Sequence, residues 1–338
     1  MVGDRPPARV GRIMSGQAAR ADGAAPIVPA DLLRLLCCPA TGSALHQSGG
    51  LLVSADGAHR YAVAANGIPL FAAASCSVDA QAQQAHYDTI AGAYVANLHY
   101  THTEEYTAYL DRALLALVAA GTLGTVAEIC CGRGEAFALL ADRVSRGVGV
   151  DISLSMLEAA KDHHAGERFS FVQGDATNLP LADGSVDAVF MLGGIHHVND
   201  RRRLFAEIAR ILKPGGRFYF REPVSDFFLW RWIRAVVYRL SPILDHDTER
   251  PLLHGETVPV LADSGLECRV WRTHGFLGFC LFMNSDVLVF NRLFRFIPGI
   301  RGITRLFAWL DGWTLRLPLM ARAGLQVVGV AVKPPRTR

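Results

Sequence analysis

The uncharged runs of the 338-residue chain that reach the roughly 18 residues a membrane-spanning helix requires, Leu35 to Ala55 and Tyr61 to Val78, are broken by proline and glycine turns, so an integral helical membrane protein is not expected. Its first thirty residues are rich in Ala, Arg, Gly and Pro but lack the apolar core of a secretory signal. Residues 1–28 read as a disordered tail. Charge is sparse and balanced: 19% of residues are charged and the net charge is +3, which argues against a dedicated nucleic-acid binder. Seven cysteines, an odd number that includes the adjacent pairs Cys37-Cys38 and Cys130-Cys131, show no framework spacing. A disulfide scaffold is thereby excluded, and a reducing cytoplasm is the expected compartment, with a membrane-peripheral location as a variant. What is plentiful is apolar side chain, 51% of the chain. That suffices for one sizeable core and a small second unit.

The stretch Thr125 to Asp151, TVAEICCGRGEAFALLADRVSRGVGVD, organises the rest. It reads as an apolar strand (Val126 to Ile129), a loop (Cys130 to Gly134), a helix (about Glu135 to Arg143) and a second strand ending at Asp151. Gly132 and Gly134 let the loop bend and bring backbone N–H groups close to a ligand, and the following helix points its N-terminus there. An acid at the end of the neighbouring strand can hold two ribose hydroxyls. A dinucleotide fingerprint lacks support, because Phe137 stands where its third glycine falls and Glu128 would repel a pyrophosphate. Glu128 suits a cofactor carrying an ammonium and a sulfonium.

Glu128, Cys130, Gly132 and Gly134 resemble the first motif of class I S-adenosylmethionine methyltransferases, with Cys130 where the first glycine is usual. Further stretches match that family in order: Gln173 to Leu181, Asp187 to Asp200, a helix from Arg201 to Leu212 closed by Lys213-Pro214-Gly215-Gly216, a fifth strand from Arg217 to Glu222, and a last strand within Leu325 to Pro334. The resemblance covers roughly Tyr87 to Gly275 plus that last strand. It implies a doubly wound α/β Rossmann-like sheet, mostly parallel with an antiparallel last strand, and S-adenosylmethionine as cofactor. It also implies that Asp151 takes the ribose, Asp175 the adenine amino group and Ala176 a ring nitrogen, with Ile152, Met156 and Leu192 beside them. Tyr87 and Tyr94 reach the cofactor carboxylate or, equally, pack in a lid.

Residues 29–75 read as a small β-rich unit: a helical run (Asp31 to Leu36), turn chemistry from Cys38 to Gly42, then short strands. The L-L-x-C-P-x-T-G stretch, Arg60-Tyr61 and Asn66-Gly67-Ile68-Pro69 resemble the zinc-ribbon-like activator of tRNA and translation-factor methyltransferases. Four zinc ligands in paired spacing are missing, Cys38 alone standing in place, so no metal is expected and the unit packs or covers substrate.

The methyltransferase domain is expected over 84–338 with helical insertions at 226–253 and 277–323. In the first, Leu229, Ile233, Val236 and Leu240 share a face opposite Arg231, Arg234 and Arg239. This fits a helix on an anionic membrane or an ordinary cover helix, the length favouring the latter. The second insertion, crowded with Phe, Leu, Ile and Trp, suggests two or three helices broken at Pro298-Gly299 and Pro318. It covers the sheet, lines a lipophilic acceptor pocket or makes a dimer face, so a homo-oligomer stays open.

His196 and His197 follow the fourth strand and are the candidate catalytic bases; packing against the cofactor or capping the next helix is the alternative. Glu222, His246, His254 and Glu256 are weaker candidates. The reading is a methyltransferase acting on oxygen or carbon of a small lipophilic acceptor of secondary-metabolite, terpenoid or quinone-like type. An RNA methyltransferase and a non-catalytic cofactor-binding partner protein are the alternatives.

Overall fold

The computed structural model describes residues 27–72, 76–77, 80–81, 84, 100–164, 166, 168–233, 250–283 and 289–335. Tyr87, Tyr94, His246, Val236, Leu240 and the tail 1–26 therefore lie outside the described residues. A single eleven-stranded sheet runs through the molecule. Its larger part comprises β5 (Thr125–Ile129), β6 (Arg146–Asp151), β7 (Phe169–Gln173), β8 (Val186–Leu192), β9 (Leu212–Pro223), β10 (Glu267–His274) and β11 (Gln326–Val332). The spatial order is β7-β6-β5-β8-β9-β11-β10. β5 to β9 are parallel, while β11 runs antiparallel between β9 and β10.

The near-continuous apolar strands follow from cover on both faces. Alternation along each strand sends Ala127, Ile129, Val189 and Met191 to one core and Val126, Ala188 and Phe190 to the other. The first core meets Leu204 and Ile208 of α5 (Arg201–Ile211) and Leu261 of α6 (His254–Asp263). The second meets Leu114 of α2 (Thr101–Leu115), Phe137 of α3 (Glu135–Leu140) and Leu157 of α4 (Leu154–His163). β9 begins five residues before the expected Arg217, at Leu212. The Lys213-Pro214-Gly215-Gly216 stop of α5 is itself paired, Gly215 N donating to Lys333 O and Lys333 N to Gly216 O.

The N-terminal strands β1 (Leu45–Ser48), β2 (Leu51–Ser54), β3 (Arg60–Val63) and β4 (Pro69–Leu70) extend the sheet, Leu70 pairing in parallel with Gln173 of β7. Leu32, Cys38, Tyr61 and Phe71 share the first core with Leu179 and Leu181. The helical run anticipated over Asp31 to Leu36 shortens to α1 (Ala30–Leu33). Beyond it the backbone pairs sideways, Cys37 N donating to Pro180 O and Ala182 N to Leu35 O. Cys38 Sγ lies 3.1 Å from the Tyr61 hydroxyl.

The described residues of both insertions start from the edge where β5 to β9 end, because β9 leads into one and β10 into the other. In the first, residues 228–233 are helical but turned differently from expectation. Leu229 and Ile233 are 37% and 36% exposed, whereas Trp230 is 7% exposed and donates from Nε1 to Ala323 O. Phe276 draws that face inward, its ring centroid 5.1 Å from Trp230. The second insertion holds α7 (Leu277–Phe282), a 3₁₀ segment (Val289–Phe296) and α8 (Ile300–Thr314), which starts after Gly299 in the left-handed region at φ 73°. Asp311 of α8 is buried and accepts from the Tyr106 hydroxyl at 2.6 Å and from Phe276, Gly278 and Phe279 N at 2.8–2.9 Å. One carboxylate thereby joins α8 to α2 and to the N-terminus of α7, where a negative charge is favoured.

Candidate active site

The carboxyl ends of β5 to β8 surround a cavity of about 220 Å³. Of the expected cofactor residues, Glu128, Cys130, Gly132, Asp151, Ile152, Met156, Asp175, Ala176 and Leu192 line it. This is the position where ligands bind in open α/β sheets, outside the strand ends at the reversal of strand order. That reversal lies between β5 and β8 here.

The loop after β5 is held from several sides. Cys130 adopts φ 51°, the left-handed backbone that glycine accepts more easily. The chain thus makes the glycine turn with a cysteine, and the opposing strand end compensates for the side chain. A Cβ on Gly194 would stand 2.6 Å from Cys130 Cβ, so only glycine fits there. Gly132 has φ 50° and no atom within 4 Å of where a Cβ would be, leaving its open side to the cavity. Gly134, expected at the ligand, is not among the cavity's lining residues. It has φ 79°, and a Cβ there would come 2.6 Å from His164 Nε2. That nitrogen bonds the Arg133 and Gly134 carbonyls at 3.1 and 2.9 Å, so His164 clamps the loop from the end of α4.

The three acids differ in duty. Glu128 is 1% exposed, and its carboxylate accepts from Ala136 N at 2.8 Å and Phe137 N at 3.4 Å at the start of α3. Burial pushes its carboxyl up to about 8, further raised by Glu135 and opposed by those two N–H donors. Asp151 accepts from Gly132 N at 2.8 Å through Oδ2 and from Ser153 N at 2.9 Å through Oδ1. Asp175 accepts from Ser77 N at 2.9 Å and from both N and Oγ of Thr177 at 2.8 Å. Burial alone would raise its carboxyl, but these donors outweigh it and hold it below the usual range. Ser153 caps α4 by accepting from Met156 N, which fixes Met156 against the cavity.

The two histidines part company. His197 lines the cavity; His196 does not. His196 Nδ1 lies 2.9 Å from Oε2 of Glu222, which is fully buried. Glu222 also accepts from Gly194 N, Ile195 N and His196 N at 2.8, 2.9 and 3.3 Å, so one carboxylate fastens the whole turn after β8. Nδ1 of His196 is thereby engaged by a buried carboxylate, and of the two rings it is that of His197 that borders the cavity. Glu222 is likewise an anchor. His254 stacks edge-on with Trp271, 5.2 Å between centroids, and neither it nor Glu256 lines the cavity.

Residue-by-residue reading of the sequence passed over Ser77, Thr177, Gly193, Gly194, Arg203 and His164. The glycine pair carried a readable signal, since it follows a strand end just as Gly132 does. Arg203 Nε donates to Thr177 O at 2.8 Å and reaches the cavity from α5, a contact visible only in three dimensions.

The fit to S-adenosylmethionine rests on the open side of Gly132, three carboxylates and the apolar surface of Ile152, Met156 and Ala176 around one cavity. Fold and site together resemble those of class I S-adenosylmethionine-dependent methyltransferases. Residues 127–220 match the family model described as methyltransferase domain. Among curated relatives, methyltransferase GfsG of Streptomyces halstedii is 34% identical over 42% of this chain and 52% of its own length. Demethylmenaquinone methyltransferase of Renibacterium salmoninarum is 37% identical over 37% of this chain and 54% of its own. The chain thus spans about half the length of these relatives. A solved structure, the complex between the Haloferax volcanii Trm112 methyltransferase activator and a methyltransferase, aligns over 75% of this chain and 99% of that one with a TM-score of 0.51. At 21% identity it speaks for the fold alone.

Proposed function

We propose that the protein transfers a methyl group from S-adenosylmethionine to oxygen or carbon of a small lipophilic acceptor. The observation that carries the cofactor half is the convergence of Glu128, Asp151 and Asp175 on one cavity opened by Gly132. Asp151 would hold the ribose hydroxyls, Asp175 and Ala176 the adenine edge, and Ile152 and Met156 its face. Glu128 would balance the positive charge. Bound there, the cofactor supplies an electrophilic methyl group on a sulfonium.

The chain's own task is to align the acceptor and keep water away. His197 sits on the cavity wall at the end of β8. It would take a proton from an acceptor hydroxyl or activated carbon as the new bond forms. Glu222 and His196 keep the 194–197 turn in place while this happens. The acceptor class is supported by the aromatic insertions at the same sheet edge and by a relative named for demethylmenaquinone. The N-terminal unit, by extending the sheet at β7, stiffens the strand that carries Asp175.

The test is incubation of the full chain with methyl-labelled S-adenosylmethionine and fractionated extract of the source organism. Label is expected in a small organic-soluble compound. Label in RNA instead would support the RNA methyltransferase reading, and no transfer to any fraction would support a non-catalytic cofactor-binding protein.

A further inference from the structure

The proposed reaction leaves one large feature of the molecule unused. Fifteen of the seventeen large hydrophobic residues that stand exposed among the described residues fall between Phe228 and Leu319, on the two insertions. Those of α8 form one stripe: Ile303, Leu306, Trp309, Leu310 and Trp313, continued by Leu317 just beyond the helix. Their spacing places them within about 120° of arc, at 100° per residue. The inward face of α8 is Ile300, Thr304, Ala308 and Asp311. This face, with the half-buried Phe307 beside it, docks on α2 and α7 while both tryptophans, 64% and 56% exposed, face out. A cover helix that answered only to the core would have the opposite arrangement.

The turn after α8 adds a second device. Leu319 is 97% exposed and held at φ 68°, a left-handed conformation that costs a leucine about 1–2 kcal/mol. A leucine in that conformation at a fully exposed turn gains nothing from the fold itself.

The charge around this face points to one kind of partner. Residues 277–323 contain six arginines, no lysine and two aspartates, of which Asp311 is buried. Arg301 and Arg305 lie toward Glu104 and Glu105 of α2. Arg295, Arg316 and Arg322 are exposed, Arg295 over the ring of the exposed Phe296. Pairing with a second copy about a twofold axis would set this arginine-bordered face against itself, at a cost in like-charge repulsion. An anionic bilayer offers the complement: apolar chains for the stripe, an interface for the tryptophans, and lipid phosphates for the arginines.

We propose that the outward face of α8, with the Leu317–Met320 turn, docks the protein on the surface of an anionic membrane. The docking face lies on the insertions at the carboxyl edge of the sheet, the edge that holds the cofactor cavity. Docking does not depend on which acceptor is methylated, and it is measured without turnover.

The test is co-sedimentation of the full chain with phosphatidylcholine vesicles, with and without about one-third phosphatidylserine. Binding is expected to the anionic vesicles and to weaken as salt is raised. The double variant Trp309→Ser/Trp313→Ser is expected to lose at least about tenfold in partitioning, since these are the two most exposed side chains of the α8 stripe. Leu319→Asp, at a position with almost no contacts to lose, is expected to weaken binding with no change in melting temperature. Failure of the wild-type chain to bind anionic vesicles would overturn the proposal, as would binding that neither variant reduces. A wild-type dimer that these variants convert to monomer, with no vesicle binding, would assign the face to a second copy instead.

Discussion

Replacing Asp151 by asparagine separates its charge from its shape. The aspartate already accepts from Gly132 N and Ser153 N at 2.8 and 2.9 Å, so the cofactor ribose would meet an oriented carboxylate. A hydrogen bond to a charged group contributes about 1.5–3 kcal/mol and one to a neutral acceptor about 1 kcal/mol. Asparagine keeps one acceptor oxygen and turns the other into an amide that faces a backbone N–H. The loss of one charged bond and the weakening of the other come to at least about 2 kcal/mol, a Kd weaker by roughly thirtyfold or more. Isothermal titration with S-adenosylmethionine and with S-adenosylhomocysteine is the assay, since both carry the ribose and both are expected to weaken alike. Melting temperature, measured in parallel, controls for damage to the loop. Unchanged affinity for both ligands, in a variant that melts as the wild type does, would refute the assignment of Asp151 to the ribose.

Three further outcomes are expected. His197→Gln should lower kcat by roughly 10²–10⁴ with little change in cofactor Kd, whereas His196→Gln should act chiefly on stability; equal kinetic effects of the two would contradict the different roles given to them. The Glu128 carboxyl, pushed up to about 8 by burial, is largely protonated near pH 6.5 in the empty protein. A bound sulfonium favours its ionised form, so affinity for S-adenosylmethionine should rise with pH between about 6 and 8, with proton release visible as a buffer-dependent binding enthalpy; a flat profile would remove Glu128 from the cation. His274 is held neutral, its pKa lowered to about 4 by burial and by Arg272. The unfolded chain binds that proton first, so stability is fully present above about 6.5 and falls by up to about 3 kcal/mol as pH drops toward 4; His274→Gln should remove this part of the acid sensitivity in denaturant titrations.

The fold was legible wherever a local pattern and the global arrangement agreed. The strand end at Asp151 and the break at Pro298-Gly299 both follow from residue type at short range. Nine of the proposed cofactor residues line one cavity, eight of them at or just beyond a strand end and Met156 on the helix that follows one. What the sequence could not convey were side-chain partnerships across the fold. The two adjacent histidines look alike in the chain, and only Glu222, 26 positions after His196, tells them apart. Gly134 looks like a ligand glycine and is required by His164, which lies thirty residues on. In the first insertion the apolar period at Leu229 and Ile233 misidentified the buried face, because Phe276 and Ala323 select Trp230 instead. Hydrophobic period tells which residues share a face; it does not tell whether that face meets the core, and in both insertions it turns outward.

The most direct test of the account is calorimetric titration of the unmodified full chain with S-adenosylmethionine. The account predicts saturable one-to-one binding with a Kd of about 1 μM to 1 mM, and a rise in melting temperature with ligand concentration. Well-folded protein that gives no heat and no thermal shift, with the methyl donor or with its demethylated product, would contradict it.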